Sequence, residues 1–158
     1  MATIFRKHLQ NLPEISNFPF IMYLTTYVIQ SIIIHMKWRA LFHEDFDLEF
    51  DALPEEVQDE MLAHATLLQQ FSPQLGRPRV DTLNGSRHAN MKELRFDAAD
   101  GVWRVAFAFD PKRRAILLAA GDKSGVRERQ FYQQLIAKAD ERFDGHLARL
   151  KKERKHKS

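Results

Sequence analysis

Between Leu83 and Lys123 the chain alternates apolar and polar positions with the period of β-strands. Over residues 102–109, Trp103, Val105, Phe107 and Phe109 face one way, and Val102, Arg104, Ala106 and Ala108 face the other. Over residues 91–96, Leu94 and Phe96 share a face, while Glu93 and Arg95 take the opposite one. Residues 97–101 (Asp-Ala-Ala-Asp-Gly) and 110–113 (Asp-Pro-Lys-Arg) have the composition of tight turns. The pattern predicts three short strands joined by two turns. Pairing the first two as a hairpin brings Arg95, Glu93 and Arg104 together on a face lined by small alanines. That face is expected to be basic and open, and to suit an anionic ligand.

Around these strands the period changes. Residues 37–42 read as another short strand. Phe46, Phe50 and Leu53 have helical spacing. Pro54 opens a second helix at a position where its missing N–H costs nothing. Val57, Met61, Ala65 and Leu68 form the buried stripe of that helix, which is expected to end near Leu75 and Gly76, with Pro73 and Pro78 preventing extension. The two helices, running antiparallel, are expected to cover the apolar face of the sheet. After a loop over residues 121–125, Phe131, Leu135, Ala139, Phe143, Leu147 and Leu150 form the stripe of a long last helix. Its final turns and the Lys/Arg tail are expected to project into solvent. The fold expected is α+β: a small antiparallel-rich sheet, an N-terminal helix hairpin on one face and a C-terminal helix.

Residues 1–35 do not match the rest. Residues 18–34 are uncharged and mostly apolar, just under the roughly 20 residues that span a bilayer. A membrane anchor following Arg6 and Lys7, a signal peptide, and an extension upstream of a true start at Met36 all compete. The signal-peptide reading lacks a small-residue cleavage site. The extension is the favoured reading, because the domain looks complete from Met36 onward. The expected organisation is an extension over 1–35, a domain over 36–148 and a basic tail over 149–158.

With 158 residues, 44% of them hydrophobic, the chain can build one domain with a real core. It has no Cys, and its seven His show no paired metal-ligand spacing. No Gly-rich phosphate loop is present. Net charge is only +3, but residues 43–60 carry nine Asp/Glu and no Lys or Arg, while residues 149–158 carry six Lys/Arg and one Glu. Such an uneven distribution fits a nucleic-acid binder, and also a pair of solvated helix faces.

The polar residues expected on the open face and its rim are Glu93, Arg95, Arg104, Lys123, Arg127, Arg129 and Tyr132, with His88 on the loop leading in. They contain no Ser-His-Asp or Cys-His arrangement and no carboxylate cluster for Mg²⁺. They are what metal-free RNA cleavage would use. In that reaction a 2′-hydroxyl attacks the adjacent phosphate, and fixed cations stabilise the charge that develops. Another group takes the 2′-OH proton, and a further one protonates the leaving 5′-oxygen. The bland readings are an arginine stem lying on the sheet for Arg104 and simple ion pairing for Arg95 and Glu93.

In order and in residues, the chain resembles the RelE/HigB toxins (RelE/ParE superfamily) of type II toxin–antitoxin modules, in particular their phage-derived Gp49-like branch. The residues that carry the likeness are Leu83-Asn-Gly-Ser86, Met91-Lys-Glu-Leu-Arg95, Trp103-Arg-Val105, Phe107-Ala-Phe109, Ile116-Leu-Leu118 and Gly121-Asp-Lys123. The likeness covers about residues 36 to 148. It implies ribosome-dependent mRNA cleavage in the A site without a cofactor, in the cytoplasm, blocked by a cognate antitoxin of helix-turn-helix type. It also implies that Arg95, Arg104, Lys123 and Arg129 hold phosphate and transition-state charge, with Tyr132 stacking on a base or assisting proton transfer. Lys92, Arg87, His88 and Arg127 would contact RNA.

The chain departs from family members that carry two lysines leading into the second strand, or a His before the turn and at the chain end. This leaves Glu93 and His88 as the two candidates for general base. Two other readings stay open: gyrase poisoning in the manner of ParE, and an inactive antitoxin-binding component.

Overall fold

Residues 38–157 are described in a computed structural model; the apolar stretch at 18–34, with its anchor, signal-peptide and extension readings, lies outside the described residues. The elements run β1 (Arg39–Phe42), α1 (Glu44–Asp51), α2 (Glu55–Phe71), β2 (Val80–Thr82), β3 (Met91–Ala98), β4 (Gly101–Phe109), β5 (Arg114–Asp122) and α3 (Glu128–His156). They form an α+β fold around one five-stranded sheet, in the order β1-β5-β4-β3-β2. β1 pairs with β5 in parallel, and every other pair is antiparallel.

The expected hairpin register holds: Arg95 lies opposite Arg104, and Glu93 opposite Ala106. Two boundaries differ from the sequence reading. Strand β2 was not anticipated, since its three residues, Val-Asp-Thr, are too few to show alternation. Helix α2 ends at Phe71 rather than near Leu75, because Ser72 precedes Pro73 and turns to extended backbone.

The apolar face is covered as expected. Phe46, Phe50, Val57, Met61, Ala65 and Leu68 from α1 and α2 are buried, along with Leu94, Phe96, Val105 and Phe107 of the sheet. The His64 ring of α2 lies 5.0 Å from that of Phe96.

The alanine face, expected to be open, is closed over most of its length. Helix α3 lies on it, and Ala106 and Ala108 share a buried cluster with Met91, Ile116, Phe131, Leu135, Ala139 and Phe143. The small side chains on the strand are what let the helix approach, and the apolar stripe of α3 needs such a surface to bury itself. Beyond Leu150 the basic tail is a continuation of α3 to His156, with residues 151–157 exposed. Among the described residues no helix is long and apolar enough to cross a membrane.

The seating of α3 depends on Gly121. A Cβ there would come within 2.9 Å of Cε2 of Phe131, whose ring is buried. Gly121→Ala is expected to lower stability by about 1–3 kcal/mol through this overpacking. A urea melt beside the wild type checks it; an unchanged midpoint would show that Phe131 moves freely.

Candidate active site

Beneath the first turns of α3, polar residues of the sheet converge. Arg95 and Arg104 face each other across β3 and β4, and Arg104 also lies opposite Gly121 of β5. Lys123 follows β5 directly and is anchored by its N–H, which donates to the Val102 carbonyl at 2.8 Å. Tyr132 comes from the first turns of α3, next to the buried Phe131. Its hydroxyl donates to Oε1 of Glu93 at 3.4 Å, and Nζ of Lys123 lies 5.4 Å from its ring centre. Of the aromatic pair, the phenylalanine is therefore the buried member and the tyrosine the one with a polar tip in the site.

Glu93 is 4% exposed and Arg104 8% exposed, so both charges sit almost out of water. Glu93 meets Arg95, with Nε of Arg95 3.5 Å from Oε1. Arg104 spends one N–H on the Trp103 carbonyl at 2.8 Å. Three buried atoms of the group have no hydrogen-bond partner: Oε2 of Glu93, Nε of Arg95 and Nε of Arg104. Buried polar atoms are rarely left so, and a cluster of them calls for a ligand or a chemical role.

Burial pushes the Glu93 carboxyl above the usual glutamate range, against the opposing pull of the Tyr132 hydrogen bond and the two arginines. Burial also raises the Tyr132 phenol, helped by the charge of Glu93, so the phenol keeps its proton.

Two carboxylates that the sequence reading did not place in the site bracket these cations. Asp81 of β2 holds Arg95 at 3.2 Å and Arg77 at 2.8 Å. Glu128, at the first position of α3, holds Lys123 at 2.6 Å. The ion pairing expected of Arg95 thus exists, with Asp81 as well as with Glu93. Glu128 could have been found from its place beside the basic run, while Asp81 needed the unanticipated strand.

The other candidates fall elsewhere. Arg127 and Arg129 are exposed at the start of α3, Arg127 as its N-terminal cap residue. Lys92 is on the opposite face of β3 from Glu93, across from Phe107 and Thr82. Arg87 and His88 are not brought to the cluster at all. Both bind Asp144, His88 through Nε2 at 2.8 Å, while Ser86 donates to Asp140 at 2.5 Å. Asp144 stands 12 residues along α3 from Tyr132, a rise of about 18 Å. That separation leaves Glu93 as the general-base candidate inside the cluster. Among the described residues no three His, Asp or Glu side chains converge as a metal ion would need.

A small α+β domain with a buried carboxylate, two facing arginines, a lysine and a tyrosine at one end of its sheet is the class defined by this geometry. The chain belongs to the phage derived protein Gp49-like family (DUF891), whose model matches residues 48–144. It is similar to two proteins of Mycobacterium tuberculosis. One, named "Putative toxin HigB2", is 46% identical over 101 residues, 63% of this chain and 50% of that protein. The other, named "Putative toxin HigB3", is 44% identical over 99 residues, 63% of this chain and 84% of that protein. The chain thus spans half the length of the first relative. The expected resemblance to the RelE/HigB group agrees with the family and with both relatives.

Among solved structures, a mutant of the Escherichia coli toxin RelE in the free state matches with a TM-score of 0.48 and 15% identity, over 65% of this chain and 97% of that one. The archaeal RelE–RelB complex of Pyrococcus horikoshii matches with a TM-score of 0.43 and 17% identity, over 58% of this chain and all of that one.

Proposed function

We propose that the protein is the toxin of a toxin–antitoxin pair and acts as a metal-independent, ribosome-dependent mRNA endonuclease. The observation that carries this reading is the buried, incompletely satisfied group Glu93, Arg95 and Arg104 with Tyr132 and Lys123 at its mouth. The likeness to toxins by name supports the biological setting.

In this reading an RNA phosphate enters between Arg95, Arg104 and Lys123 and takes the places now filled by the carboxylates of Asp81 and Glu128. Glu93 accepts the proton of the 2′-hydroxyl as its oxygen attacks phosphorus. The charge on the phosphorane oxygens falls to the guanidinium groups, which are already fixed and need no reorganisation. The Tyr132 phenol then protonates the leaving 5′-oxygen. The products are a 2′,3′-cyclic phosphate and a free 5′-hydroxyl. Glu93, now protonated, returns its proton to the Tyr132 oxygen across their existing contact, which restores both groups. A cognate antitoxin would hold the protein inactive between uses.

Expression of the full chain beside Arg104→Ala tests this, with growth curves and primer extension on a reporter mRNA. Growth arrest with codon-phased cuts is expected, and the substitution should reduce cleavage by about 10²–10³-fold, as for loss of a charge-stabilising donor. Arg104→Lys should rescue little, because a point charge cannot replace the planar fork. Arrest without cuts would instead favour a gyrase-directed toxin, and no arrest an inactive antitoxin-binding component.

A further inference from the structure

Two of the cations at the candidate site are held by carboxylates that the proposed chemistry does not use. Asp81 holds Arg95 at 3.2 Å, and Glu128 holds Lys123 at 2.6 Å. Neither acid moves a proton in that reaction. A carboxylate beside a phosphate-binding cation also works against the binding of a polyanion. Its presence there asks for a role.

The two acids are not held alike. The Asp81 side chain is 21% exposed and is shared among Arg95, Arg77 at 2.8 Å and the Thr82 N–H at 2.9 Å. Displacing it breaks several contacts together. The Glu128 side chain is 69% exposed and reaches Lys123 from the first residue of α3. Giving up Nζ of Lys123 releases it to water. Yet it stands in the field of the site. The hydrogen bond and charge of Lys123, and beyond them the charges of Arg104 and Arg95, hold the Glu128 carboxyl below the usual glutamate range. Lys123 is fixed by its N–H on the Val102 carbonyl and by Nζ over the Tyr132 ring, so an incoming phosphate meets the ammonium where Glu128 meets it now.

The competition between the two anions is uneven, because Glu128 is tethered five residues from Lys123. A tethered partner acts at an effective concentration of about millimolar. An isolated phosphate well below that concentration does not displace it. A phosphate in a strand that Arg95 and Arg104 already hold is tethered too, and competes on equal terms. A glutamate in the first turn also suits the helix dipole. That role belongs equally to Glu55, the first residue of α2, and does not explain the contact with Lys123.

We propose that Glu128 is a specificity-determining residue: its carboxylate stands in for a substrate phosphate on Lys123, so the site turns away isolated phosphates and loosely held RNA and admits a strand fixed by other contacts. This rests on the proposed function in one respect, that the site takes an RNA phosphate.

The test is fluorescence anisotropy with a short labelled single-stranded RNA carrying 2′-O-methyl groups, which block cleavage, over about 50–300 mM KCl and without ribosomes. Glu128→Gln should bind about 3–5-fold tighter than the wild type at about 100 mM salt, the worth of one surface ion pair. Its log–log salt slope should steepen by about 0.7, the value for one added contact to a single strand. Glu55→Gln removes the same charge from the same helical position, on the hairpin that covers the other face of the sheet, and should bind like the wild type. In a Lys123→Gln background the change at Glu128 should gain nothing.

Equal affinity in Glu128→Gln and the wild type would overturn the proposal; with a lowered melting temperature it would make Glu128 a helix-end acid. An equal gain in Glu55→Gln would overturn it as an effect of net charge, and so would a gain that survives the loss of Lys123. The cleavage assay above decides the proposed function separately. A tighter Glu128→Gln variant of a protein that cuts no RNA would defeat that reading and leave this one standing. A protein that cuts RNA but whose affinity ignores Glu128 would do the reverse.

Discussion

Replacing Glu93 with glutamine is expected to reduce RNA cleavage by about 10²–10⁴-fold, the usual contribution of a positioned general base. The same change should not lower stability at neutral pH. Both expectations follow from one fact, the burial of this carboxylate at 4% exposure with Oε2 unpartnered. A carboxyl whose pKa is raised in the folded state binds its proton more tightly there than in the unfolded chain. Its contribution to stability is therefore fully present below the ordinary glutamate pKa, near 4.3, and is lost as pH rises through the raised folded value. Glutamine is neutral throughout and escapes that loss.

Melting curves from about pH 4 to pH 8 should thus show the variant gaining on the wild type as pH rises. The acid limb of the wild-type rate profile should sit above the ordinary glutamate range. A variant that keeps full cleavage would remove Glu93 from the mechanism. One that loses both activity and stability at neutral pH would make it a structural ion-pair partner of Arg95 instead.

Asp110→Ala is expected to cost about 3–5 kcal/mol, the range for removing one partner of a buried charged network, and to lower the melting temperature by roughly 10–20 °C. Asp110 follows β4 directly, with its carboxylate fully covered. Oδ1 accepts the backbone N–H groups of Lys112 at 2.9 Å and Arg114 at 3.1 Å, which closes the turn. Oδ2 accepts from Nε of Arg114 at 2.8 Å and meets Nε2 of His146 on α3 at 2.9 Å. One side chain therefore shapes the turn and ties it to the last helix.

Burial opposes ionisation of Asp110, but the hydrogen bonds from Arg114 and His146 and the Arg114 charge outweigh it, and the carboxyl lies below the usual aspartate range. With a depressed pKa the contribution is present above the unfolded value, near 3.9, and is lost as pH falls through the folded one. Urea melts at neutral pH and an acid titration check both points. The variant should lose stability at neutral pH and show a shallower acid transition. A change of less than about 1 kcal/mol would mean that solvent replaces the carboxylate freely.

Much of the candidate site could be read from the chain because it lies on regular strands. Once Leu94 and Phe96 are assigned to the core face, the period of two sends Glu93 and Arg95 to the other face, and the turn at residues 97–101 fixes Arg104 opposite Arg95. Residues on loops could not be placed in this way. His88 and Arg87 belong to a loop whose course is set by Asp140 and Asp144, more than fifty positions away. Their separation from Tyr132 emerges only when α3 is laid on the sheet. Asp81 went unread as a site residue because a strand of three residues has no pattern of its own and exists through its pairing with β3.

What the sequence by itself determined is the local part: strand and helix identity for all elements but β2, the hairpin register, and the apolar stripe of α3. These follow from side-chain spacing along a single segment, which short-range sterics and periodicity control. Only the tertiary structure decided that β1 lies parallel beside β5, and that α3 closes the alanine face and leaves just its first turns at the cluster. It also decided that Glu93 is dry enough to titrate abnormally. Each depends on which surfaces meet across the fold, and burial, dielectric and partner choice arise only from that meeting.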